Sequence, residues 1–191
     1  ATAEIKTAYA LTEPSAGSDA NSGKTKASID KEKNCYLING QKMWITNSGF
    51  AEVFIVFAKI EDDEKLSAFI IEKSFGGITL GEEEKKLGIK GSSTRQVYFE
   101  NCPVPMENLL GKRNDGFKIA LNILNSGRIK LSAATIGGSK FALSKAIKYS
   151  IEREQFGKSI GEFTAMQFKI GEMARKIFSA ESAVYRTGRN I

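Results

Sequence analysis

The sequence predicts an α+β protein: an antiparallel β-barrel or sandwich followed by a long antiparallel helical hairpin. Three observations lead there. Residues 5–110 break into short apolar runs separated by Gly, Asn and Pro. After Gly116 the apolar spacing changes to the three-and-four of an amphipathic helix. No proline follows Pro105, so nothing in the second part forbids long helices. The two domains expected are a β domain over 1–113 and a helical hairpin over 114–191.

The elements follow in order. A short apolar run ends at Leu11. Residues 25–30 alternate, 31–34 turn, and 35–38 alternate back. Asn39-Gly40 reads as a hairpin turn, because both residues tolerate positive φ. Residues 41–46 follow, then AEVFIVFAK at 51–59, apolar enough to be buried on both faces. Residues 66–72 and 97–100 complete the strands, with Gly76-Gly77, Pro103 and Pro105 as punctuation. The run EEEKK at 82–86 reads as a solvated hairpin end. Phe117, Leu121 and Leu124 open a helix expected from 116 to 153, about 55 Å long. Phe156-Gly157 breaks it. A second helix is expected over 162–185, with Met166, Ile170, Met173 and Ile177 on one face. The small residues Ala133, Ala134, Gly137, Gly138 and Ser139 leave room for another helix to approach. A hairpin of this kind cannot bury its apolar stripes alone.

Composition narrows the chemistry. The 191 residues are 41% hydrophobic and 26% charged, an ordinary globular balance. The net charge of +6 has both signs interleaved, which suits an anionic small ligand better than nucleic acid. Two cysteines, Cys35 and Cys102, lack metal-ligand spacing, so free thiols and no metal site are expected. No apolar run approaches a membrane span. The chain has no histidine, which excludes Ser-His-Asp and Cys-His catalysis within it. It starts at Ala1 without an initiator Met and stops just after a helical pattern, and it reads as a piece of a longer protein.

Two stretches carry the functional signal. YALTEPSAGSD at 9–19 ends a strand in a hydroxyl, a carboxylate and a run of small residues rich in exposed N–H groups. NGQKMWITN at 39–47 ends a strand in Thr46 beside the single tryptophan, Trp44. Taken alone, the first reads as an ordinary turn and the second as core filling. Together they provide donors for the edge of a flat ring, an aromatic cover and a backbone cradle for phosphates.

These two stretches, followed by REQFG at 153–157, resemble the acyl-CoA dehydrogenase family over essentially the whole chain. The resemblance implies the family's middle β domain plus the first two helices of its C-terminal four-helix bundle, within a larger α-β-α protein. It implies tightly bound FAD and oxidation of an acyl-CoA to the trans-2-enoyl-CoA, in the β-oxidation of fatty acids. Leu11 and Thr12 would bond the pyrimidine edge of the flavin, Thr46 would lie near N5, and Trp44 and Ile45 would line the ring. Gly17 and Ser18 would hold the pyrophosphate, with Ser18 also facing CoA. Asn125, Ser126, Gly127 and Arg128 match the segment that contacts the pantetheine arm. Arg153, Gln155 and Phe156 match residues that reach the FAD of a neighbouring subunit, which implies a homodimer or homotetramer. An electron-transfer flavoprotein is the expected acceptor, and bacterial cytoplasm or mitochondrial matrix the expected compartment. Some members carry a catalytic glutamate just before the arginine matching Arg128. Gly127 stands there, so the base is expected beyond Ile191, no catalytic residue falls within the chain, and Glu13 is expected to fix its turn. The LNSGR context is similar to the very-long-chain branch. Two further readings remain: a flavin monooxygenase relative, and a non-enzymatic relative that binds flavin, CoA or DNA.

Overall fold

The computed structural model describes residues 4–190; Ala1–Ala3 and Ile191, where the sequence suggested a cut piece, lie outside them. Two compact units divide between Leu121 and Asn122.

The first unit is an eight-stranded sheet. Its strands are β1 (Thr7–Ala10), β2 (Lys26–Asp30), β3 (Cys35–Thr46), β4 (Val53–Ile60), β5 (Ser67–Glu72), β6 (Ile78–Glu83), β7 (Thr94–Pro105) and β8 (Leu109–Leu110). The order is β6-β7-β3-β2-β4-β5-β8, with β1 also pairing β4. The sheet is mostly antiparallel, as expected, but β4 makes two parallel contacts. Its first half pairs with β1 and its end with β2. The apolar run expected to be buried on both faces is β4, where Phe54, Val56, Phe57, Ala58 and Ile60 are fully buried. They form the core with Ile38, Phe69, Ile71, Val97 and Val104.

Three expectations need correction. Asn39-Gly40 is not a hairpin turn; it lies inside β3, which runs on for twelve residues against an equally long β7. The β2–β3 hairpin turns at 31–34 instead. Opposite Asn39 the β3–β7 register slips. Asn101, at φ 46°, forms this bulge, and its N–H donates to Asn39 Oδ1 at 2.8 Å. Gly40 is needed for a close approach, because a Cβ there would lie 2.6 Å from Thr25 Oγ1. Pro103 and Pro105 are not breaks either. They sit in the part of β7 that β6 does not flank, where a missing N–H is tolerated. Finally, ITLGEE at 78–83 is an edge strand whose charged end joins the run read as a hairpin tip.

The second unit is built on α1 (Gly116–Glu152), whose first turn belongs to the sheet unit, and α2 (Thr164–Gly188). Between them β9 (Glu154–Gln155) and β10 (Lys158–Ser159) form a minimal hairpin. Its turn residues Phe156 and Gly157 have φ of 58° and 77°, the left-handed pair that a two-residue turn demands. Ser159 and Glu162 form a capping box on the short 3₁₀ turn before α2. Half-buried Ile129, Ile136 and Leu143 on α1, and Ile170, Ile177 and Val184 on α2, recur every seven residues, the spacing of a coiled-coil seam. Lys140 pairs with Glu181 between the two helices. Leu131, Phe141, Phe168 and Phe178 are each about two-thirds exposed or more.

Candidate functional site

The site begins where a ladder ends. The parallel β1–β4 pairing stops at Ala10–Val56, so the Phe57 carbonyl loses the Thr12 N–H that would continue the ladder, and the Leu11 carbonyl has no backbone donor either. Lys42 supplies the missing donors. Its Nζ donates to Phe57 O at 2.6 Å, to Leu11 O at 3.2 Å and to Glu13 Oε1 at 2.7 Å. Lys42 is 1% exposed and Glu13 4%. The same carboxylate accepts the N–H of Lys24 at 2.5 Å and of Thr25 at 3.1 Å. Burial works to raise the Glu13 pKa, but the Lys42 ammonium and the backbone donors outweigh it, so the carboxyl is held below its usual range. Burial lowers the Lys42 pKa, opposed by Glu13. Glu13 therefore fixes its turn, as expected, and is too fully engaged for proton transfer. Met43 N–H donates to Thr12 O at 2.8 Å, fastening the turn to β3 a second time.

Both carbonyls of Leu11 and Thr12 are thus occupied from the β3 side. Among the described residues, the N–H of Leu11 and the hydroxyl of Thr12 have no protein partner. The loop then closes on itself through paired Glu13–Ala16 backbone bonds of 3.0 and 3.1 Å. Gly17 and Ser18 are exposed, and their N–H groups have no protein acceptor among the described residues. A Cβ on Gly17 would touch nothing, whereas one on Gly23 would meet Glu13 Oε1 at 2.9 Å. The chain itself needs Gly23; it has no internal need for a glycine at 17.

On β3 a second bulge sets the other wall. Between Lys42 and Ile45 the register against β7 slips by one residue. Trp44 occupies this bulge at φ 56°, a left-handed conformation that is uncommon for a bulky residue. The bulge inverts the alternation. Tyr36, Ile38 and Lys42 face inward before it and Ile45 after it, leaving Trp44 60% exposed and Thr46 exposed beside it. Trp44 is not core filling. Ile45 is 2% exposed, so its side chain serves the core and only its backbone is available to a ligand. Ser93 braces the following turn: its carbonyl accepts Asn47 N–H at 2.8 Å, and its hydroxyl accepts Gly49 N–H at 3.1 Å while donating to Glu83.

The sheet unit therefore gathers Leu11, Thr12, Gly17, Ser18, Trp44, Ile45 and Thr46. The helical unit carries the remaining expected residues. Asn125, Ser126, Gly127 and Arg128 are exposed on α1, with Arg128 Nη1 donating to Asn125 Oδ1 at 2.8 Å. Arg153, Gln155 and Phe156 are exposed at the β9–β10 hairpin, Phe156 94% so. The two groups stand about 35–40 Å apart along α1, at 1.5 Å per residue, too far to touch one small ligand together. The sequence reading gave Lys42 no role. The available signal was its inward phase: it shares the parity of Ile38 on an alternating strand, where a lysine needs a buried partner. Among the described residues there is no cluster of metal-ligating side chains and no helix long and apolar enough to cross a membrane.

Backbone donors without protein partners among the described residues, an exposed indole and an unfilled glycine loop on one sheet are the features of a candidate site for a flat, phosphate-bearing ligand. The residues match two domain models, the acyl-CoA dehydrogenase middle domain over 8–102 and the acyl-CoA dehydrogenase C-terminal domain over 114–191. The chain belongs to the acyl-CoA dehydrogenase family. It is 51% identical over 187 residues to a probable acyl-CoA dehydrogenase of Bacillus subtilis, covering 98% of this chain and 31% of that protein. It is 43% identical to the mitochondrial very long-chain specific acyl-CoA dehydrogenase of Rattus norvegicus, covering 100% of this chain and 30% of that one. Among solved structures it matches an acyl-CoA dehydrogenase complexed with FAD from Bacillus anthracis, at 52% identity and a TM-score of 0.89 over 94% of this chain and 31% of that one. The chain thus spans about a third of the length of these relatives.

Proposed function

We propose that this chain supplies the flavin- and thioester-binding elements of an FAD-dependent acyl-CoA dehydrogenase that oxidises an acyl-CoA to the trans-2-enoyl-CoA, and that 1–113 and 114–191 are its two domains here. The observation that carries the reading is the pairing of donors at Leu11 and Thr12 that have no protein partner among the described residues with the indole that the bulge turns out at Trp44. FAD, when bound, supplies the hydride acceptor. The N–H of Leu11 and the hydroxyl of Thr12 would bond the polar edge of the ring, and donors held this rigidly stabilise charge that develops there. Trp44 would cover the ring, and Thr46 would present its hydroxyl to the reacting edge. The N–H groups of Gly17 and Ser18 would bind the pyrophosphate, with Ser18 turned also toward CoA. Asn125, Ser126, Gly127 and Arg128 would take the pantetheine arm and CoA.

Arg153, Gln155 and Phe156 would serve the flavin of a second subunit, making the protein a homodimer or homotetramer; their separation from Arg128 along α1 favours this. No carboxylate of this chain is assigned as base: Glu13 is spent on Lys42, and glycine stands at 127. As the family resemblance implies, the base would lie outside residues 1–191. An electron-transfer flavoprotein is the proposed acceptor, and the bacterial cytoplasm or mitochondrial matrix the proposed compartment.

The test is the visible spectrum of the full polypeptide supplied with FAD, before and after anaerobic addition of a long-chain acyl-CoA. A flavin band that bleaches supports the proposal. A polypeptide that takes up no flavin overturns it. One that binds flavin but is not reduced by any acyl-CoA points to the monooxygenase relative.

A further inference from the structure

We propose that Lys42, held by Glu13, is a positioning residue for the flavin edge, an inference that rests on the flavin reading above. The geometry is that of a plug at a branch point. Strands β1 and β4 run in register from Thr7–Val53 to Ala10–Val56, and the next rungs are not made. In their place one buried ammonium takes the Leu11 and Phe57 carbonyls, 3.2 and 2.6 Å away, with its third donor on Glu13 Oε1. This holds β1 away from β4 just where the ladder would otherwise continue. It also fixes the peptide that joins Leu11 to Thr12: with the Leu11 carbonyl held by Lys42, the Thr12 N–H at the opposite side of that peptide is directed away from Lys42, and it has no protein partner among the described residues. Glu13 aligns the ammonium and anchors the far end of the loop through Lys24 and Thr25.

The arrangement is a costly way to obtain stability. A buried ion pair seldom outperforms apolar residues of the same volume, because both charges must be desolvated. Its return is in direction: an ammonium offers three donors at once to three acceptors, two in the loop after β1 and one on β4. Lys42 lies on β3 two residues before the Trp44 bulge, so one strand sets both the ring's edge donors and its aromatic cover.

The experiment uses the full polypeptide and two variants, Lys42→Met and the double variant Lys42→Met/Glu13→Gln. The readouts are the FAD dissociation constant of the apoprotein, the midpoint potential and visible spectrum of the bound flavin, and the thermal unfolding midpoint. Lys42→Met leaves Glu13 buried without a counter-charge and is expected to lower the unfolding midpoint. The double variant removes both charges and is expected to recover most of that loss. In the double variant FAD affinity is expected to remain at least tenfold weaker than wild type, with a displaced potential and an altered flavin band. A purely structural role predicts the opposite: affinity, potential and spectrum recover together with stability, which would overturn the proposal. If the wild-type polypeptide takes up FAD and either variant binds it within twofold with unchanged spectrum and potential, the positioning role alone fails. If the wild type takes up none, the flavin reading fails and this proposal falls with it.

Discussion

At the scale of single residues, the loop between β1 and β2 depends on a few side chains that sit deeper than their chemistry prefers. Glu13 is the one with a pH consequence. Its carboxyl is held below its ordinary value of 4.5, so the folded state binds fewer protons than the unfolded state in the window just beneath that value. Its contribution to stability is fully present above pH 4.5 and is lost as pH falls through the lower folded value. Denaturant midpoints measured between pH 7 and pH 3 are expected to fall more steeply for wild type than for Glu13→Gln in this acid window. Gly40 gives a second, pH-independent prediction. A Cβ there would lie 2.8 Å from the Thr25 Cα, a backbone atom that cannot swing aside. Gly40→Ala should cost roughly 2–3 kcal/mol by overpacking, read as a lowered denaturant midpoint with an unchanged slope.

At the scale of elements, the two bulges of the β3–β7 pair divide the work. The one on β7 at Asn101 serves the fold, with Asn101 bonding across to Asn39 through backbone and side chain. The one on β3 at Trp44 turns Ile45 into the core but leaves the indole itself 60% exposed, and it holds a large aromatic residue in a left-handed conformation that costs about 1–3 kcal/mol. Trp44→Gly is therefore expected to keep or slightly raise the unfolding midpoint while weakening flavin uptake at least tenfold, checked by thermal denaturation and flavin titration on the same samples. The bulges are also where the sequence was least legible. The turn at 31–34, the long helix from Gly116 and the break at Phe156-Gly157 are local events, and local spacing revealed them. Asn39-Gly40 carries the same local preference as a hairpin turn, but a strand sixty residues away accommodates it instead. Strand β6 was obscured by its glutamates, which an edge strand tolerates and a propensity reading penalises. The loop at 9–19 and Trp44 were recognisable as candidate site residues from their residue types. Lys42 was not, because a lysine reads as surface until its three acceptors are known.

At the scale of the molecule, the sheet unit has a closed apolar core, whereas the helical unit leaves most of its large apolar side chains in contact with solvent. Leu131 is 69% exposed, Phe141 67%, Phe168 75% and Phe178 71%. A 191-residue polypeptide of this sequence is expected to self-associate with rising concentration in sedimentation velocity, and Phe168→Ser/Phe178→Ser to reduce that association without changing the sheet's unfolding. The parallel seam between β1 and β4 bears on the order in which the molecule is made. Thr7 is synthesised before Val53 and finds its partner only when Val53 has followed, and the Lys42 ammonium cannot meet the Phe57 carbonyl before then. Long-range pairings of this kind form late, because their loop-closure entropy must be met first. During synthesis β1 is therefore the last part of the sheet's first half to take shape. Until β4 emerges, YALTEPSAGSD is an unpaired, partly apolar stretch of the kind that chaperones hold and proteases cut.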